Sequence, residues 1–346
     1  MVRWTEAPDE YTHDLADPND DDFDVDHPAR RRRSRTVTFL LVLAALVFLA
    51  YGVARVLSVD DLVDNALLVD AMALTPYVVA GSLLLALVSL VLRRLLALVV
   101  LVLALSLSAL LGPRYFSEEQ PEATGPHLRI MAANLYLGHA DARTIVNLVR
   151  QQQVDVLTMP ELTPAEVSAL DSAGLSELLP YRVFDARPGG DGNGIAANVP
   201  LRRVVPMSET VLSQPSALVD LPGRDDVQLT AVHIQPPLSY QDVRTWRSEL
   251  AQLPRVEPND HIRILAGDFN ATFDHAAFRN IVDRGYADAA EETGKGLDTT
   301  WSSLPTGPPL TIDHIVADGQ CAISSYAVYD LPGSDHNAII AEVVLP

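Results

Sequence analysis

The chain has 346 residues, 48% of them hydrophobic, and a formal net charge of −20 at pH 7. Its mean hydropathy is nevertheless positive, +0.14, which excludes a uniformly polar chain and points to a polar domain joined to membrane segments. The acidic balance argues against nucleic acid as the main partner, and the single cysteine, Cys321, excludes an intramolecular disulfide.

In chain order, residues 1–35 form an acidic tail ending in a basic flank. Asp14, Asp17, Asp20, Asp21, Asp22, Asp24 and Asp26 crowd a stretch with few apolar residues, so it is expected to stay unfolded. Asp17, Asn19 and Asp21 have the spacing that opens a calcium loop, but the later glycine and glutamate are missing and no calcium site is expected. Residues 36–112 hold three apolar runs, Val37–Val53, Leu74–Leu92 and Leu95–Leu111. Each is long enough to cross ~30 Å of hydrocarbon as a helix. Three transmembrane helices are expected, the last two as a hairpin, because one continuous helix would place Arg93 and Arg94 at mid-membrane. A cleaved signal peptide is disfavoured: the first run starts far from Met1 and two more follow. Arg30–Arg33 and Arg35 precede the first run, Arg93-Arg94 divide the others, and the intervening loop carries Asp60, Asp61, Asp64 and Asp70. This bias puts the N-terminus in the cytoplasm and everything after Gly112 outside. Residues 113–127, polar with Pro and Gly, read as a linker.

Residues 128–346 alternate short strands and helices. Ile130–Leu135 is a strand carrying Asn134. Ala142, Ile145, Val146, Leu148, Val149 and Gln152 recur at helical spacing. Val154–Thr158 is a strand leading to Glu161. Val227–Ile234 carries His233 and runs into Gln235-Pro236-Pro237. Ile262–Ala266 runs into Gly267-Asp268-Phe269-Asn270, and Thr311–Val316 carries Asp313. Ala327–Leu331 precedes Ser334-Asp335-His336-Asn337. Strands that end in polar residues put them on the rim of a sheet, where they can converge. Carboxylate, carboxamide and imidazole together suit a hard metal ion and a phosphate ester. Taken singly, each island has a plainer explanation: Asp268-x-Asn270 as a turn or cap, Asp335-His336 as a loop pair, His233 as a core histidine.

The ordered set of Asn134, Glu161, His233, Asp268-x-Asn270, Asp313-His314 and Asp335-His336 resembles the endonuclease/exonuclease/phosphatase superfamily of DNase I-like enzymes, over about 220 residues. The resemblance implies an α/β fold, a four-layer α/β/β/α sandwich, here preceded by three transmembrane helices. It implies Mg²⁺, with Mn²⁺ as alternative, held by Glu161 and Asp335, and Asn134 supporting the metal and binding the phosphate. Asp268 and Asn270 then position the attacking water, His336 contacts the phosphate and moves a proton, Asp313 orients His336, and His233 assists the leaving group. The chain departs from the family at Tyr136, where several nucleases carry an acidic residue, at Pro160 where Gln is common, and at Asn198, where many relatives have Ser and local hydrogen bonding is expected.

From Pro113 onward about 31 acidic and 16 basic residues leave a net charge near −15, against the basic stripe that a duplex-DNA enzyme presents. Three spans followed by such a domain resemble VanJ-type membrane proteins linked to glycopeptide resistance. That implies a phosphatase acting on lipid-linked phosphates such as undecaprenyl pyrophosphate. An extracellular nuclease and a phospholipase- or sphingomyelinase-like phosphodiesterase are the alternatives, with an inert scaffold as a third. Specificity is expected in the loops Arg187–Asn193, Gln235–Tyr240 and Asp298–Pro309. Trp301 in the last reads as a packing residue.

Overall fold

The computed structural model describes residues 28–92, 96–208, 210–222, 224–257, 260–302 and 307–346. The acidic tail and Arg93-Arg94 lie outside the described residues. The N-terminal third forms α1 (Pro28–Val56), α2 (Val59–Leu62), α3 (Ala66–Ala73), α4 (Thr75–Val91) and α5 (Ala97–Ser108). Three separate membrane-crossing helices do not form. Among the described residues only Arg35–Val56, 22 residues with mean hydropathy 2.6, is by itself long and apolar enough. The 17 residues of α4 qualify only together with α3, from which α4 is bent by 67°. Pro76 in the first turn of α4 has no N–H with which to continue the α3 ladder. At 12 residues, α5 spans about 18 Å against ~30 Å of hydrocarbon. The expected pairing of the last two runs is present: Ala86 packs with Val100 and Ala104, and Val79 with Leu107.

Twelve strands follow. They are β1 (His127–Ala132), β2 (Val156–Thr158), β3 (Tyr181–Asp185), β4 (Asn193–Ala197), β5 (Leu201–Val204) and β6 (Ser216–Leu221), then β7 (Arg224–His233), β8 (Ile262–Asp268), β9 (Tyr286–Asp288), β10 (Asp313–Asp318), β11 (Ala322–Tyr329) and β12 (Ala338–Val344). One sheet has the order β11-β12-β1-β2-β4-β3 and the other β5-β6-β7-β8-β10-β9. Between the sheets lie Ile130, Val156 and Ile339 from the first and Leu229, Ile264 and Ile315 from the second. The opposite faces are covered by helices. On the first, Met131, Leu157 and Ile340 meet Ile145 and Val149 of α6 (Ala142–Gln151) and Leu170 of α7 (Pro164–Ser172). The short α8 (Leu175–Leu178) adds Leu175 to the same layer. On the second, Val232, Leu265 and Val316 meet Trp246 of α9 (Tyr240–Gln252) and Phe278 of α10 (Ala276–Val282). The result is a four-layer α/β/β/α sandwich, built by strands whose alternate residues face different partners.

The helical third is docked onto this sandwich. Asp274, 1% exposed, accepts from Arg55 Nε at the end of α1 (3.1 Å) and from Arg114 Nη1 after α5 (2.9 Å). Asp60 Oδ2 accepts from Ala276 N at the start of α10, and His275 Nε2 meets the Val69 carbonyl. Asp61 and Asp64 pair with Arg247. The expected linker, residues 113–127, is laid along the domain: Glu118 N donates to Glu292 O, Ile323 N to Gln120 Oε1, and Gly125 N to Leu345 O. Asp274 is shared by two buried guanidiniums, of which Arg114 also has Glu291, so Asp274→Ala should destabilise the full-length protein by about 3–5 kcal/mol, the usual cost of stranding a buried charge. Denaturant unfolding in detergent would measure this, and an unchanged midpoint would mean that the docking ion pairs contribute nothing.

Candidate active site

Strand register assembles the site. His233 and Asp268 are Cα partners at the ends of β7 and β8, and Asp268 is partnered in turn by Asp313 at the start of β10. Each continues the face that, further along the strand, is core: Leu229, Ala231 and then His233; Ile264, Ala266 and then Asp268; Asp313 ahead of Ile315 and Ala317. The first sheet contributes at the same end, with Asn134 just beyond β1, Glu161 just beyond β2 and His336 just before β12. The site is where the inter-sheet core gives way to polar side chains. Gly267 has φ 145°, and a Cβ there would lie 2.1 Å from the Val232 carbonyl oxygen, so glycine is what lets β8 close on β7 beside Asp268.

Hydrogen bonds then fix each group. The Asn134 amide bridges the sheets, its Nδ2 donating to Glu161 Oε1 (3.1 Å) and Asp268 Oδ2 (3.0 Å). Asn134 Oδ1 accepts from Tyr136 N, and Leu137 N donates to Glu161 Oε2 at 2.7 Å. Asn270 N donates to Asp268 Oδ1, and its Nδ2 to the Ile234 carbonyl. Glu161, Asn270, Tyr136 and Leu137 all have positive φ, between 45° and 61°. Such residues store about 1–3 kcal/mol of strain each and persist where their surroundings over-determine them, as these bonds do. His336 Nδ1 lies 2.9 Å from Asp313 Oδ2. Its Nε2 faces a gap bounded by Asp268 Oδ2 at 3.8 Å and Asp335 Oδ1 at 3.9 Å. His233 Nε2 is 4.0 Å from Glu161 Oε1.

Electrostatics separates the two histidines. Burial and then the charge of His336 drive His233 down to about 3, so it is neutral. Burial would strip His336 of its proton too, but Asp313 and Asp268 outweigh it and push His336 up to about 10. Burial and the Asp313 charge push Asp268 up to about 7, against His336, the Asn270 N–H and Asn134. A cationic histidine, a neutral one and a carboxylate that exchanges protons near neutrality thus lie within one cleft.

The donor set fits a divalent cation. Asp268, Asp313 and His336 present ligand-type atoms within 4.8 Å of one another, and within that trio His336 Nδ1 already meets Asp313 Oδ2 at 2.9 Å. The sequence-derived ligands lie beside it. Both oxygens of Glu161 accept from neutral donors, and Asp335 Oδ1 is buried with no hydrogen-bond partner among the described residues. Anionic oxygens of this kind take Mg²⁺-like ions.

All eight sequence-derived residues therefore converge: Asn134, Glu161, His233, Asp268, Asn270, Asp313, Asp335 and His336. Three further residues hold them. Thr300 Oγ1 donates to Asp313 Oδ2 (2.7 Å) and accepts from Asp313 N. Ser334 Oγ donates to the Asn134 carbonyl and accepts from His336 N. Trp301, expected to pack, donates Nε1 to Asp335 Oδ2 at 3.1 Å. Ser334 opens an island already singled out in the sequence, whereas a Thr299-Thr300-Trp301 stretch before Asp313 was the only signal for Thr300 and Trp301. Asn198 forms its expected local bond, Nδ2 to Asp155 Oδ1.

The Endonuclease/Exonuclease/phosphatase family profile matches residues 131–336. Among solved structures, an endonuclease/exonuclease/phosphatase from Beutenbergia cavernae DSM 12333 is 19% identical, over 63% of this chain and 72% of that one, with TM-score 0.51. An AP endonuclease from Archaeoglobus fulgidus is 13% identical, over 62% and 98%, with TM-score 0.50. Sphingomyelinase C from Streptomyces griseocarneus is 16% identical, over 63% and 99%, with TM-score 0.45. Among curated proteins no sequence matches.

Two variants test the geometry. His336→Gln keeps the shape but not the charge and should lower turnover by about 10²–10⁴-fold. Trp301→Phe removes one N–H from Asp335 and should weaken metal binding, raising the metal concentration needed for half-maximal rate with little change in thermal midpoint. Full turnover in His336→Gln would misplace the site.

Proposed function

The chain belongs to the endonuclease/exonuclease/phosphatase family, and from that membership we propose that it is a membrane-anchored, Mg²⁺-dependent phosphatase acting outside the cytoplasm on lipid-linked phosphates such as undecaprenyl pyrophosphate. The observation that carries this reading is the docking of the apolar helices. Asp274, four residues beyond Asn270, is the anchor for Arg55 and Arg114, and Tyr77 Oη in the first turns of α4 donates to the Pro309 carbonyl, four residues before Asp313. The loops that flank the site are thus the loops that hold the membrane helices, so a bilayer-borne substrate meets the reacting groups directly. The rim supports it: Tyr136 and Leu137, bonded through their N–H groups to Asn134 and Glu161, are 41% and 44% exposed, apolar where a polynucleotide would need cations.

Hydrolysis forms one bond from water oxygen to phosphorus and breaks the bond to the leaving phosphate or alcohol oxygen. Asp268, with its acidity near neutral, accepts the water's proton, oriented by Asn134 and the Asn270 N–H. His336, cationic and held by Asp313, donates Nε2–H to the charge gathering on the phosphoryl oxygens. His233, neutral with Nδ1 unpartnered and buried, faces Glu161 and can serve the leaving oxygen. Glu161 and Asp335 would hold Mg²⁺, which when bound supplies charge neutralisation and polarises the phosphoryl group.

Full-length protein in detergent micelles should release inorganic phosphate from undecaprenyl pyrophosphate with Mg²⁺, and EDTA should reduce the rate by orders of magnitude. Trace release beside brisk DNA cleavage would instead favour the nuclease alternative.

A further inference from the structure

We propose that the pit between the start of α6 and α7 is a binding site for a small molecule bearing a primary ammonium group, separate from the cleft around His336. The pit has a volume of about 640 Å³, the size of a small-molecule site. Glu166, Asp141, His139 and Arg143 line it, with Ala169 and Ala173 as apolar wall. None of the eight residues gathered in the cleft lines it. Its walls are packed on one another. Asp141 N donates to the Pro332 carbonyl, and Cβ atoms added at Gly138 and Gly333 would lie 2.4 Å from Thr163 Oγ1 and 2.2 Å from the His139 carbonyl oxygen. These close approaches preform the pit, which lowers the cost of binding there.

Glu166 is the group that calls for a ligand. The spacing Thr163-x-x-Glu166 is that of a capping box, whose glutamate accepts in return from the N–H of the cap residue. Only half of that box forms. Thr163 Oγ1 accepts from Glu166 N at 3.1 Å, but Glu166 is 4% exposed and its Oε1 is buried with no hydrogen-bond partner among the described residues. A carboxylate so placed is costly as an anion, and burial, then the Asp141 charge, push it up to about 7. Asp141 caps α6, its Oδ1 accepting from Thr144 N, and offers Glu166 only a second negative charge. Arg143 is exposed and leaves Oε1 without a bond. A cation in the pit answers both carboxylates. A divalent metal is the poorer fit: among the described residues only Asp268, Asp313 and His336 bring three ligand-type side chains together, and the pit is far larger than an ion. An ammonium group needs no such set. It donates N–H bonds to the carboxylate, and its aliphatic stem lies against the two alanines.

The test is calorimetric titration of full-length protein in detergent micelles with n-butylamine, Mg²⁺ being kept saturating so that the acidic cleft is engaged. n-Butanol, equal in length but uncharged, is the control ligand. The expected result is saturable one-to-one binding of the amine and none of the alcohol. Glu166→Gln should weaken it by at least about tenfold, the loss of a hydrogen bond to a charged group, without lowering the thermal midpoint, because Oε1 gives up no bond. Ser172→Trp, from an exposed position on the lining, narrows the pit while leaving the carboxylate in place and should weaken binding as well. Glu161→Gln, in the cleft, should bind the amine as wild type does. Absent binding, or undiminished affinity in both Glu166→Gln and Ser172→Trp, would overturn the site. Equal binding of butanol would overturn it as a merely apolar pit, and loss in Glu161→Gln alone would move the amine to the cleft. Calcium binding that Glu166→Gln abolishes, with no amine bound, would replace the ammonium by a metal.

Discussion

Two carboxylates that face each other across one rung of a sheet, with a single imidazolium beside them, set the terms for everything around them. Asp268 and Asp313 are Cα partners on β8 and β10, each all but buried. Like charges so placed cannot both be stable without compensation, and His336 supplies only one positive charge. The cleft stays short of positive charge, which Glu161 and Asp335 deepen. A divalent cation and a phosphate fit that balance together: the first answers the surplus of carboxylates, and the second answers the cation and His336. Thr300, Ser334 and Trp301 bind carboxylate or backbone at this point, so the surplus is held in a fixed shape instead of relaxing by moving apart.

That arrangement was largely written in the strand pattern. Val227, Leu229, Ala231 and His233 alternate with outward-facing residues, and so do Ile262, Ile264, Ala266 and Asp268. A polar residue at the last position of an apolar alternation points where the core points, because side-chain direction repeats every second residue. The islands could therefore be located from sequence, and the family resemblance ordered them. What supports them was not legible. Thr300 acts through a loop whose backbone path no periodicity specifies, and Trp301 shows the same amino acid serving as packing or as donor depending on where Asp335 falls. Burial was misjudged as well. Residues expected on a rim are mostly interior, because His233, Asp268 and Asp313 continue the inter-sheet face of their strands.

The helical third shows the opposite failure. Hydropathy located the three apolar runs, which form α1, α4 and α5, but not that α5 is too short to cross alone or that α3 precedes α4 at an angle. Pro76, in the first turn of α4, supplies no N–H, and α4 leaves α3 at 67°, a break that hydropathy does not register. Long-range docking is invisible to any local pattern. Asp60, Asp61 and Asp64 stood out only as an acidic loop opposing the arginine-rich flank. In the folded chain Asp60 caps α10, and Asp61 and Asp64 hold Arg247.

Those contacts carry a topological consequence that charge counting alone does not. Residues 58–70, which follow α1, touch α9 and α10 of the catalytic domain, which follows α5. The two segments therefore share one side of any bilayer, so α4 and α5 together must return to the face that they leave. A paired re-entrant hairpin meets that condition, and the 67° bend between α3 and α4 and the 12 residues of α5 suit it.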